Sequence, residues 1–415
     1  MNSSTSTNSN LNAQFTSSDF FEFFSNKRSF EPGWLVDLRK EAWNNFNNLP
    51  KNKIKDERWR FSPRARFGYS KFDILAESSN KIELNNENST DLFFETLDHT
   101  ILNNPDILSD LPSLTGPNLG SQEIFHLCRS FSESGFMLKT DKGACFTKPL
   151  TCKHIAPAND QLLFQQNLLL LEPFSELTII EYFDSQDDFT SGMLSSLNHI
   201  IVKEGAKLNR ILVQRLNGHS TFNHLEKIEL HKNAQINNIS LQLGSRQSRV
   251  ESKGVILAEG ADFNNYSLSL GRNDQLFDQR TIQHHCAPNG RSNLLFKNAL
   301  LDNSKSVFSG LIKVEPEAQN TDSFQTNRNL LLSPEAEADS LPGLEILANE
   351  VKCSHGATTS KIDEQELFYL QSRGMTKKQS EKLIVLGFFE EIIGQIKNET
   401  IIEKLRNEVS NFFNL

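Results

Sequence analysis

The sequence has few cysteines, few tyrosines and tryptophans, and no long apolar run. Its 415 residues contain five cysteines, an odd number at low density that argues against a disulfide framework. The longest purely aliphatic run, Leu168–Leu171, ends at Glu172 and Pro173, whereas a membrane-spanning helix needs about 20 apolar residues. These absences argue against a disulfide-stapled secreted domain and predict no transmembrane helix.

The chain also lacks a recognisable targeting segment and an excess of positive charge. Residues 1–14 are rich in Ser, Thr and Asn and contain no Lys or Arg, whereas a secretory leader begins with basic residues and a transit peptide carries arginines. We therefore expect a disordered tail over residues 1–15 and a cytoplasmic protein. The net charge is −9, so binding to nucleic acid or to an anionic membrane is not expected.

An N-terminal region, 16–135, begins with helical spacing. Apolar residues recur after Pro32 at the spacing of an α-helix, namely Leu35, Leu38, Ala42, Trp43 and Phe46. The stretch 51–66 that follows is basic and carries Trp59 and Phe61. It fits an RNA contact or a solvated helix end with a loop, and we favour the second interpretation because charge runs usually face solvent.

From about residue 136 the pattern changes to short β-branched runs between Gly or Asn turns, which is typical of strands. Three segments are similar and evenly spaced: Glu204–Asn209, Lys232–Asn237 and Glu259–Asn264. Gly205 and Asn233 are 28 residues apart, and Asn233 and Gly260 are 27 apart. A constant pitch of this size indicates stacked coils.

Stacked coils predict a mainly β fold over residues 136–360, a parallel β-helix. A leucine-rich repeat has a similar pitch, but its L-x-x-L-x-L signature is absent. In each coil a Gly or Asn would take the left-handed conformation at the corner. One apolar position per coil would form an internal column: Leu208, Ile236 and Phe263. The next position would form an amide ladder: Asn209, Asn237 and Asn264.

The last region, 361–415, is predicted to be helical. Asp363 with Glu366, and Thr376 with Gln379, are capping-box pairs. They precede an apolar stripe that includes Leu383, Leu386, Phe389 and Ile393. Two interpretations stay open for this stripe: a small helical domain packed on the end of the β-helix, or an exposed face that docks a partner.

Most enzyme signatures are missing from the chain. It has no P-loop, no G-x-G-x-x-G, no G-x-S-x-G and no C-x-x-C. A β-helix invites comparison with polysaccharide lyases, but the carboxylates here are scattered rather than clustered. A polysaccharide-active enzyme is therefore the weaker alternative, and we predict no catalytic residue.

One strand-like segment, 351–357, places a cysteine and a histidine two residues apart. Side chains at i and i+2 of a strand project to the same face, so Cys353 and His355 would present a thiolate and an imidazole together. This pair suits zinc or iron–sulfur chemistry. Two ligands cannot complete a four-coordinate site, so the others would come from elsewhere in the chain or from a partner.

A second candidate pair is His284 with Cys286, just before an Ala-Pro-Asn-Gly turn. A loop beside a structural turn is the simpler interpretation, and we favour it. The remaining cysteines show no ligand-like neighbours in the sequence: Cys128, Cys145 and Cys152.

Longer runs in the C-terminal half resemble a known family. The chain resembles the SufB/SufD family of iron–sulfur cluster assembly proteins in six segments: 57–61, 322–333, 336–339, 342–346, 351–358 and 367–374. The resemblance is dense over 290–395 and poor over 71–170. The Cys-Ser-His-Gly run at 353–356 favours the SufD branch, because the SufB branch carries His-Glu-Ala-Thr in place of residues 355–358.

The resemblance implies a right-handed parallel β-helix between helical ends and a non-catalytic scaffold of the SUF system. It implies pairing with a SufB-like paralogue, with Cys353 and His355 at an interface where a transient Fe–S cluster is assembled. It also implies a SufC-like ATPase bound by the C-terminal helical region, at the apolar positions Leu383, Leu386, Phe389 and Ile393.

The same resemblance limits what this chain is expected to bind alone. No cofactor is expected to be held tightly by the single chain, and flavin would enter through the SufB-like partner. The alternative within the family is a SufB-like scaffold that acts as a homodimer, and a homodimer of this chain stays open when its partner is absent.

Overall fold

The computed structural model describes residues 15–50, 56–72, 74–76, 82–85, 90–109, 111–396 and 398–413. The predicted tail therefore lies outside the described residues except for Phe15, which is buried. The helices in these ranges are α1 Ser18–Lys27, α2 Gly33–Asn47, α3 Leu97–Asn103, α4 Gln122–Phe131, α5 Glu364–Ser372, α6 Lys377–Ile393 and α7 Glu399–Phe412. Short 3-10 turns lie at Glu57–Trp59, Arg64–Arg66, Tyr69–Lys71, Pro105–Leu108 and Leu111–Ser113.

The strands, numbered in chain order, form two long sheets. Sheet A contains β1 Ile74–Leu75, β3 Leu92–Thr96, β4 Ser134–Thr140, β6 Gln161–Leu171, β8 Gly192–Val202, β10 Thr221–Leu230, β12 Gln247–Ile256, β14 Leu276–His285, β16 Lys305–Val314 and β18 Glu337–Ile346. Sheet B contains β2 Ile82–Asn85, β5 Leu150–Ala156, β7 Glu176–Ser185, β9 Lys207–Gln214, β11 Gln235–Gln242, β13 Asp262–Gly271, β15 Arg291–Leu300, β17 Thr321–Leu331 and β19 Val351–Lys361.

From β4 onward the chain alternates between the two sheets, and each strand pairs in parallel with the strand two places along the chain. The result is a β-solenoid of about eight turns, so the predicted parallel β-helix is confirmed. The N-terminal end of the solenoid departs from this parallel pairing. There the short strands β2 and β3, of 4 and 5 residues, pair antiparallel to β5 and β4.

The predicted internal column lies in the solenoid core. Leu208, Ile236 and Phe263 are in register on β9, β11 and β13, and all three are buried. The amide ladder on the outer face is also confirmed. Asn237 Nδ2 donates to Asn209 Oδ1 at 2.8 Å, and Asn264 Nδ2 donates to Asn237 Oδ1 at 3.1 Å.

One corner of the solenoid is a column of left-handed residues. Successive turns place one residue with positive φ at this corner: Gly143, Phe174, Gly205, Asn233, Gly260, Asn289 and Asn320. Several of these residues donate their N–H to a carbonyl of the next turn, as Gly205 does to Lys232. The prediction that Gly and Asn occupy the corner is confirmed, with Phe174 as a bulky exception.

A pair of glycines at this corner gives a matched test of backbone strain. We expect Gly143→Ala to lower the free energy of unfolding by about 1–2 kcal/mol, because its φ is +74° and its surroundings are open. Gly205→Ala should cost more, since the added methyl would lie 2.6 Å from the Phe174 ring. Urea unfolding of both variants measures the difference, and an equal or smaller loss for Gly205→Ala would contradict the contact.

The N-terminal region differs from its prediction in two ways. It contributes the three short strands β1 to β3 as well as helices. In its described part, residues 56–66, the basic stretch forms 3-10 turns and a loop rather than a helix end, while the Arg58 and Arg60 side chains stay 41% and 56% exposed. Its Trp59 ring lies under the buried guanidinium of Arg249, 3.6 Å from the ring centroid. Arg280 Nη2 donates to the carbonyl of Arg60 at 2.8 Å. The segment is thus fastened to the outer face of sheet A.

Helices α6 and α7 pack on the outer face of sheet B, and not on the end of the solenoid, which was one of the two interpretations left open by the sequence. Apolar side chains of α6 and α7 cover outward residues of β7 to β17 and form one buried cluster with them. Polar contacts fix the helices at the same face. Lys297 Nζ donates to the Phe388 carbonyl at 2.7 Å, and Arg215 pairs with Glu408 on α7 at 2.7 Å.

None of the helices in the described ranges is long and apolar enough to span a membrane.

Candidate functional site

The last turn of the solenoid leaves both sheets open. In the part of the chain that the structure describes, β18 pairs only with β16, and β19 pairs only with β17. Nine of the eleven residues of β19 are exposed, all but Val351 and Cys353. An edge strand of this length presents a row of unpaired backbone groups to any strand that approaches it.

Cys353 and His355 lie on this edge strand. They are in register with Ser323 and Gln325 on β17, which are both buried. Register neighbours in a parallel sheet point to the same side, so both side chains face the solenoid interior at its open end. Cys353 is half-buried and His355 is exposed. The structure therefore places the predicted thiol and imidazole on one accessible face.

The surroundings of Cys353 influence its protonation. Burial raises the pKa of the Cys353 thiol, and a hydrogen bond from the Ser323 backbone opposes this shift. Within the described ranges no group of three or more His, Cys, Asp or Glu side chains is arranged to hold a metal ion. The chemistry of the donor pair nevertheless fits iron, because thiolate and imidazole are both suitable iron ligands.

The free edge of β19 is formed by its odd-numbered residues. Asn320 N–H donates to the Glu350 carbonyl, and Ile362 N–H donates to the Leu331 carbonyl, so even-numbered residues make the ladder to β17. Backbone groups alternate in direction along a strand. The N–H and C=O groups of Cys353 and His355 therefore point away from the solenoid, toward the open edge.

The neighbouring edge strand, β18, contains a proline. Glu337, the first residue of β18, donates its N–H to the Ser304 carbonyl, and Leu347, just after β18, donates its N–H to the Val314 carbonyl; both acceptors lie on the β16 side. Odd-numbered residues thus face β16, and Pro342 is one of the even-numbered residues on the free side. A proline at this position leaves the β16–β18 ladder intact and removes one donor from the open edge.

The second predicted pair is also brought together. Cys286 Sγ lies 3.5 Å from His284 Nε2, and the same nitrogen lies 2.7 Å from Glu315 Oε1. Glu315 is itself paired with Lys313 at 3.1 Å. Burial and Glu315 raise the pKa of the Cys286 thiol. His284 is therefore engaged by a carboxylate, which fits the structural role that we favour for this pair.

A third Cys-x-His pair was missed in the sequence. Cys152 Sγ lies 3.3 Å from His154 Nε2, and both residues are completely buried in the solenoid interior. The signal was the same two-residue spacing as in Cys353 and His355. Neither side chain is accessible to solvent. Cys128 is buried and Cys145 is exposed, and all five cysteines are free thiols.

His154 belongs to a buried ionic network that the sequence did not reveal. Arg210 lies at its centre and contacts Glu181 at 2.5 Å and Glu226 at 2.6 Å. His154 contacts Glu181 at 3.1 Å, and His224 contacts Glu226 at 3.3 Å. All five side chains are buried. These residues come from β5, β7, β9 and β10. They are distant in the sequence, and their side chains meet only because the coils stack in register.

The predicted docking residues on α6 divide into two groups. Phe389 and Ile393 are both 0% exposed and belong to the cluster that holds α6 on sheet B, and Leu386 packs against that cluster. Leu383 is 48% exposed. The larger exposed apolar side chains lie on α5, where Phe368 is 72% and Tyr369 is 56% exposed. The accessible apolar surface is therefore on α5 and the first half of α6.

Comparison with known proteins points to one family. A family profile described as "SUF system FeS cluster assembly, SufBD core domain" matches residues 154–388, more than half of the chain. The iron–sulfur cluster assembly protein SufD of Escherichia coli is 31% identical over 298 residues, which cover 70% of this chain and 69% of that protein. SufD of Bacillus subtilis is 22% identical over 418 residues, which cover 93% and 95%. The matched region contains both Cys353 and His355.

Proposed function

Because this chain belongs to the SufB/SufD family of iron–sulfur cluster assembly proteins, we propose that it is a SufD-like scaffold subunit of the SUF system. In this role it pairs through its open end with a SufB-like paralogue. The observation that carries the proposal is the exposed edge strand β19, which displays Cys353 and His355 beside unpaired backbone groups. The cluster is cargo in this scheme, and the chain supplies ligands and a surface rather than a catalytic group.

The open end suits a partner that adds strands to both sheets. The two terminal strands, β18 and β19, are 10 and 11 residues long, which is enough for a long ladder with a related solenoid. Main-chain hydrogen bonds would supply affinity, and the side chains on the strand would supply specificity. A thiol and an imidazole at this edge would then face the partner, which would contribute the remaining ligands. Flavin binding stays a prediction for the partner.

A proline at the open edge tests this pairing. We expect Ala357→Pro to abolish co-purification with the SufB-like partner, because Ala357 is exposed and its N–H is one of the free donors on β19. The ladder to β17 uses the even-numbered residues, so the solenoid should stay folded. The control is Ala357→Val, which keeps the N–H. Mass measurement of the complexes decides, and unchanged assembly of the proline variant would contradict edge pairing.

The same measurement addresses the homodimer. Two copies of this chain could meet through the same edge when the partner is absent, since a two-fold pair uses identical surfaces on both chains. The proline variant should then be monomeric where the wild-type chain is dimeric. If the Ala357→Pro variant is still dimeric, the two copies associate through another surface.

We further propose that a SufC-like ATPase docks on α5 and the first half of α6. The support is the exposure of Phe368, Tyr369 and Leu383. Phe389 and Ile393 contribute indirectly, because they fix α6 on sheet B from within. Interfaces concentrate their energy in a few aromatic and apolar anchors, and the ring of Phe368 is the most exposed candidate among these three.

A single substitution tests the docking surface. Phe368→Ser should weaken ATPase binding at least about tenfold, as expected for an aromatic anchor, with no change in melting temperature. Phe189→Ser is the matched control, because Phe189 is 83% exposed on the turn between β7 and β8, away from α5. Titration calorimetry with the ATPase compares the two. Equal affinities for the two variants would move the docking site away from α5.

A further inference from the structure

The Phe61 loop, residues 59–62, holds its phenylalanine in a strained backbone conformation. The φ of Phe61 is +62°, in the left-handed region that bulky residues rarely adopt. Phe174 has a similar φ, but it belongs to the column of corner residues that the repeating coil requires, whereas Phe61 lies outside the solenoid. The Phe61 ring is 47% exposed, so packing within the chain offsets only part of the strain. Strained residues cluster at ligand clamps and switch regions, which makes Phe61 a candidate for a binding contact.

The strain is maintained by contacts on both sides of Phe61. Arg280, on β14, donates from Nη2 to the Arg60 carbonyl at 2.8 Å and to Ser62 Oγ at 3.2 Å. The Ser62 N–H donates to the Trp59 carbonyl at 3.0 Å. These hydrogen bonds fix the residues before and after Phe61 on sheet A. The ring is therefore displayed on a rigid support, and a partner that covers it loses little free energy in ordering the loop.

The Phe61 loop lies on the flank of the open end of the solenoid. Arg280 fixes the loop over β14, and in the order of sheet A two strands, β16 and β18, separate β14 from the open edge. Leu341, on the terminal strand β18, packs against the same apolar cluster as Trp59. A partner that adds a strand to β18 therefore comes within two strands of the loop. The loop thus adjoins the surface at which the partner pairs.

Arg60 gives the loop a positive charge that favours an acidic partner. Among the described residues Arg60 makes one ion pair, a 3.7 Å contact with Glu57 in which the two side chains are 56% and 80% exposed. An exposed pair of this kind contributes little energy, so the guanidinium is available to a carboxylate of another chain. It lies 5.0 Å from the centroid of the Phe61 ring. The net charge of −9 on the whole chain disfavours a nucleic acid at the same place.

Given the proposed pairing with a SufB-like paralogue, on which this inference rests, we propose that Arg60 and Phe61 are a second contact for that partner. The Phe61 ring enters an apolar pocket of the partner, and the Arg60 guanidinium pairs with a carboxylate at the rim of that pocket. Aromatic residues and arginine are enriched in interfaces, and a few such anchors carry most of the binding energy. The loop thereby adds affinity to the backbone pairing at the open edge.

Replacing Phe61 by glycine separates a binding role from a structural one. Glycine adopts the left-handed conformation without strain, so Phe61→Gly should not lower the melting temperature of the full chain. In titration calorimetry its affinity for the SufB-like partner should fall at least about tenfold, as expected for an aromatic anchor. Phe174→Gly is the matched control, because Phe174 has a φ of +64° and is 56% exposed on the turn between β6 and β7. The control should bind as tightly as the wild-type chain.

A charge reversal tests the contribution of Arg60. Arg60→Glu should weaken binding at least about tenfold at low salt and by a smaller factor at high salt, because salt screens exposed charges. Lys142→Glu makes the same change in net charge at an exposed position between β4 and β5, and it should leave the affinity unchanged. Equal affinities of the two glycine variants, or of the two charge variants, would overturn the second contact.

Photo-crosslinking keeps the contact testable even where glycine alters the fold. A photoreactive phenylalanine analogue at position 61 should link to the SufB-like chain in the full complex, and the same analogue at position 174 should not. No link from position 61, or a link to the ATPase alone, would refute the contact. Failure of the proposed function has a different result, because Ala357→Pro would then still assemble. If Ala357→Pro abolishes assembly while Phe61→Gly binds as tightly as the wild-type chain, only the second contact is wrong.

Discussion

Replacing Arg210 by leucine is expected to lower the free energy of unfolding by about 3–5 kcal/mol. Arg210 is completely buried and is the guanidinium between Glu181 and Glu226. Its removal leaves two carboxylates in the solenoid interior without their main counter-charge. Loss of one partner of a buried ion pair is far more costly than loss of the whole pair, because the remaining charge stays away from water.

Two comparisons show whether the loss comes from unpaired charge. Arg215→Leu removes an arginine from the end of the same coil, but that side chain is 36% exposed, so the cost should be about 1 kcal/mol or less. Adding Glu181→Gln and Glu226→Gln to Arg210→Leu should restore part of the lost stability, since the buried charges are then gone. A triple variant no more stable than Arg210→Leu alone would contradict this explanation.

The pH dependence gives an independent readout of the same network. Burial would raise the pKa of Glu181 and Glu226, but Arg210 and the neighbouring histidines outweigh it and hold both pKa values at about 2. A carboxyl whose pKa is lower in the folded state stabilises the fold above its unfolded pKa, which is 4.5 for Glu, and loses that contribution as the pH falls toward 2. The deficit of Arg210→Leu should therefore shrink at acidic pH, where its carboxyls become neutral. An equal deficit at neutral and acidic pH would exclude the charge argument.

The largest functional effect is expected at the open edge. His355→Ala should reduce cluster formation in the assembled complex by about tenfold or more, because even residues that only orient a metal ligand change affinity 10–100-fold. Folding and partner binding should be nearly intact, since one exposed imidazole contributes little to a long edge contact. Cys353→Ser should act in the same direction but more mildly, because a partner thiolate can substitute for the half-buried Cys353.

The matched controls are residues of the same types that lie elsewhere. His219→Ala and Cys145→Ser change an exposed histidine and an exposed cysteine in turns away from the open end. Both should leave cluster yield unchanged. Melting temperature and cluster yield are measured for all four variants. A lower melting temperature for Cys353→Ser with full cluster yield would show a structural cysteine, and full yield from the double variant Cys353→Ser with His355→Ala would end the hypothesis.

The sequence predicted those features that depend on local repetition. The column through Ile236 and the ladder through Asn237 follow from three similar segments spaced evenly along the sequence, because each coil repeats the same turn. The pairing of Cys353 with His355 follows from strand periodicity alone. These features need only the spacing of residues along one strand or from one coil to the next.

The features that escaped prediction depend on contacts between distant segments. Phe389 is apolar at helical spacing, and such a residue serves equally well in a core or in a docking surface. Only the apolar outer face of sheet B decides that it is buried. Arg210 and Glu226 lie 16 residues apart, and their contact depends on which side of each strand faces inward. Trp59 and Arg249 are likewise joined only by the folded chain, so charge composition alone did not reveal that the basic segment is anchored on sheet A.

The unequal ends of the solenoid bear on which assemblies the proposed edge pairing can form. A solenoid with a bare strand edge at both ends could stack head to tail into a filament, because each added copy would offer a fresh edge. Within the part of the chain that the structure describes, one end closes in short antiparallel strands, and the long strands β18 and β19 are left open at the other. Pro342 also interrupts the donors on one of them. If chains pair through this edge as proposed, each solenoid offers one such edge, and we expect edge pairing to give a pair of solenoids rather than a filament.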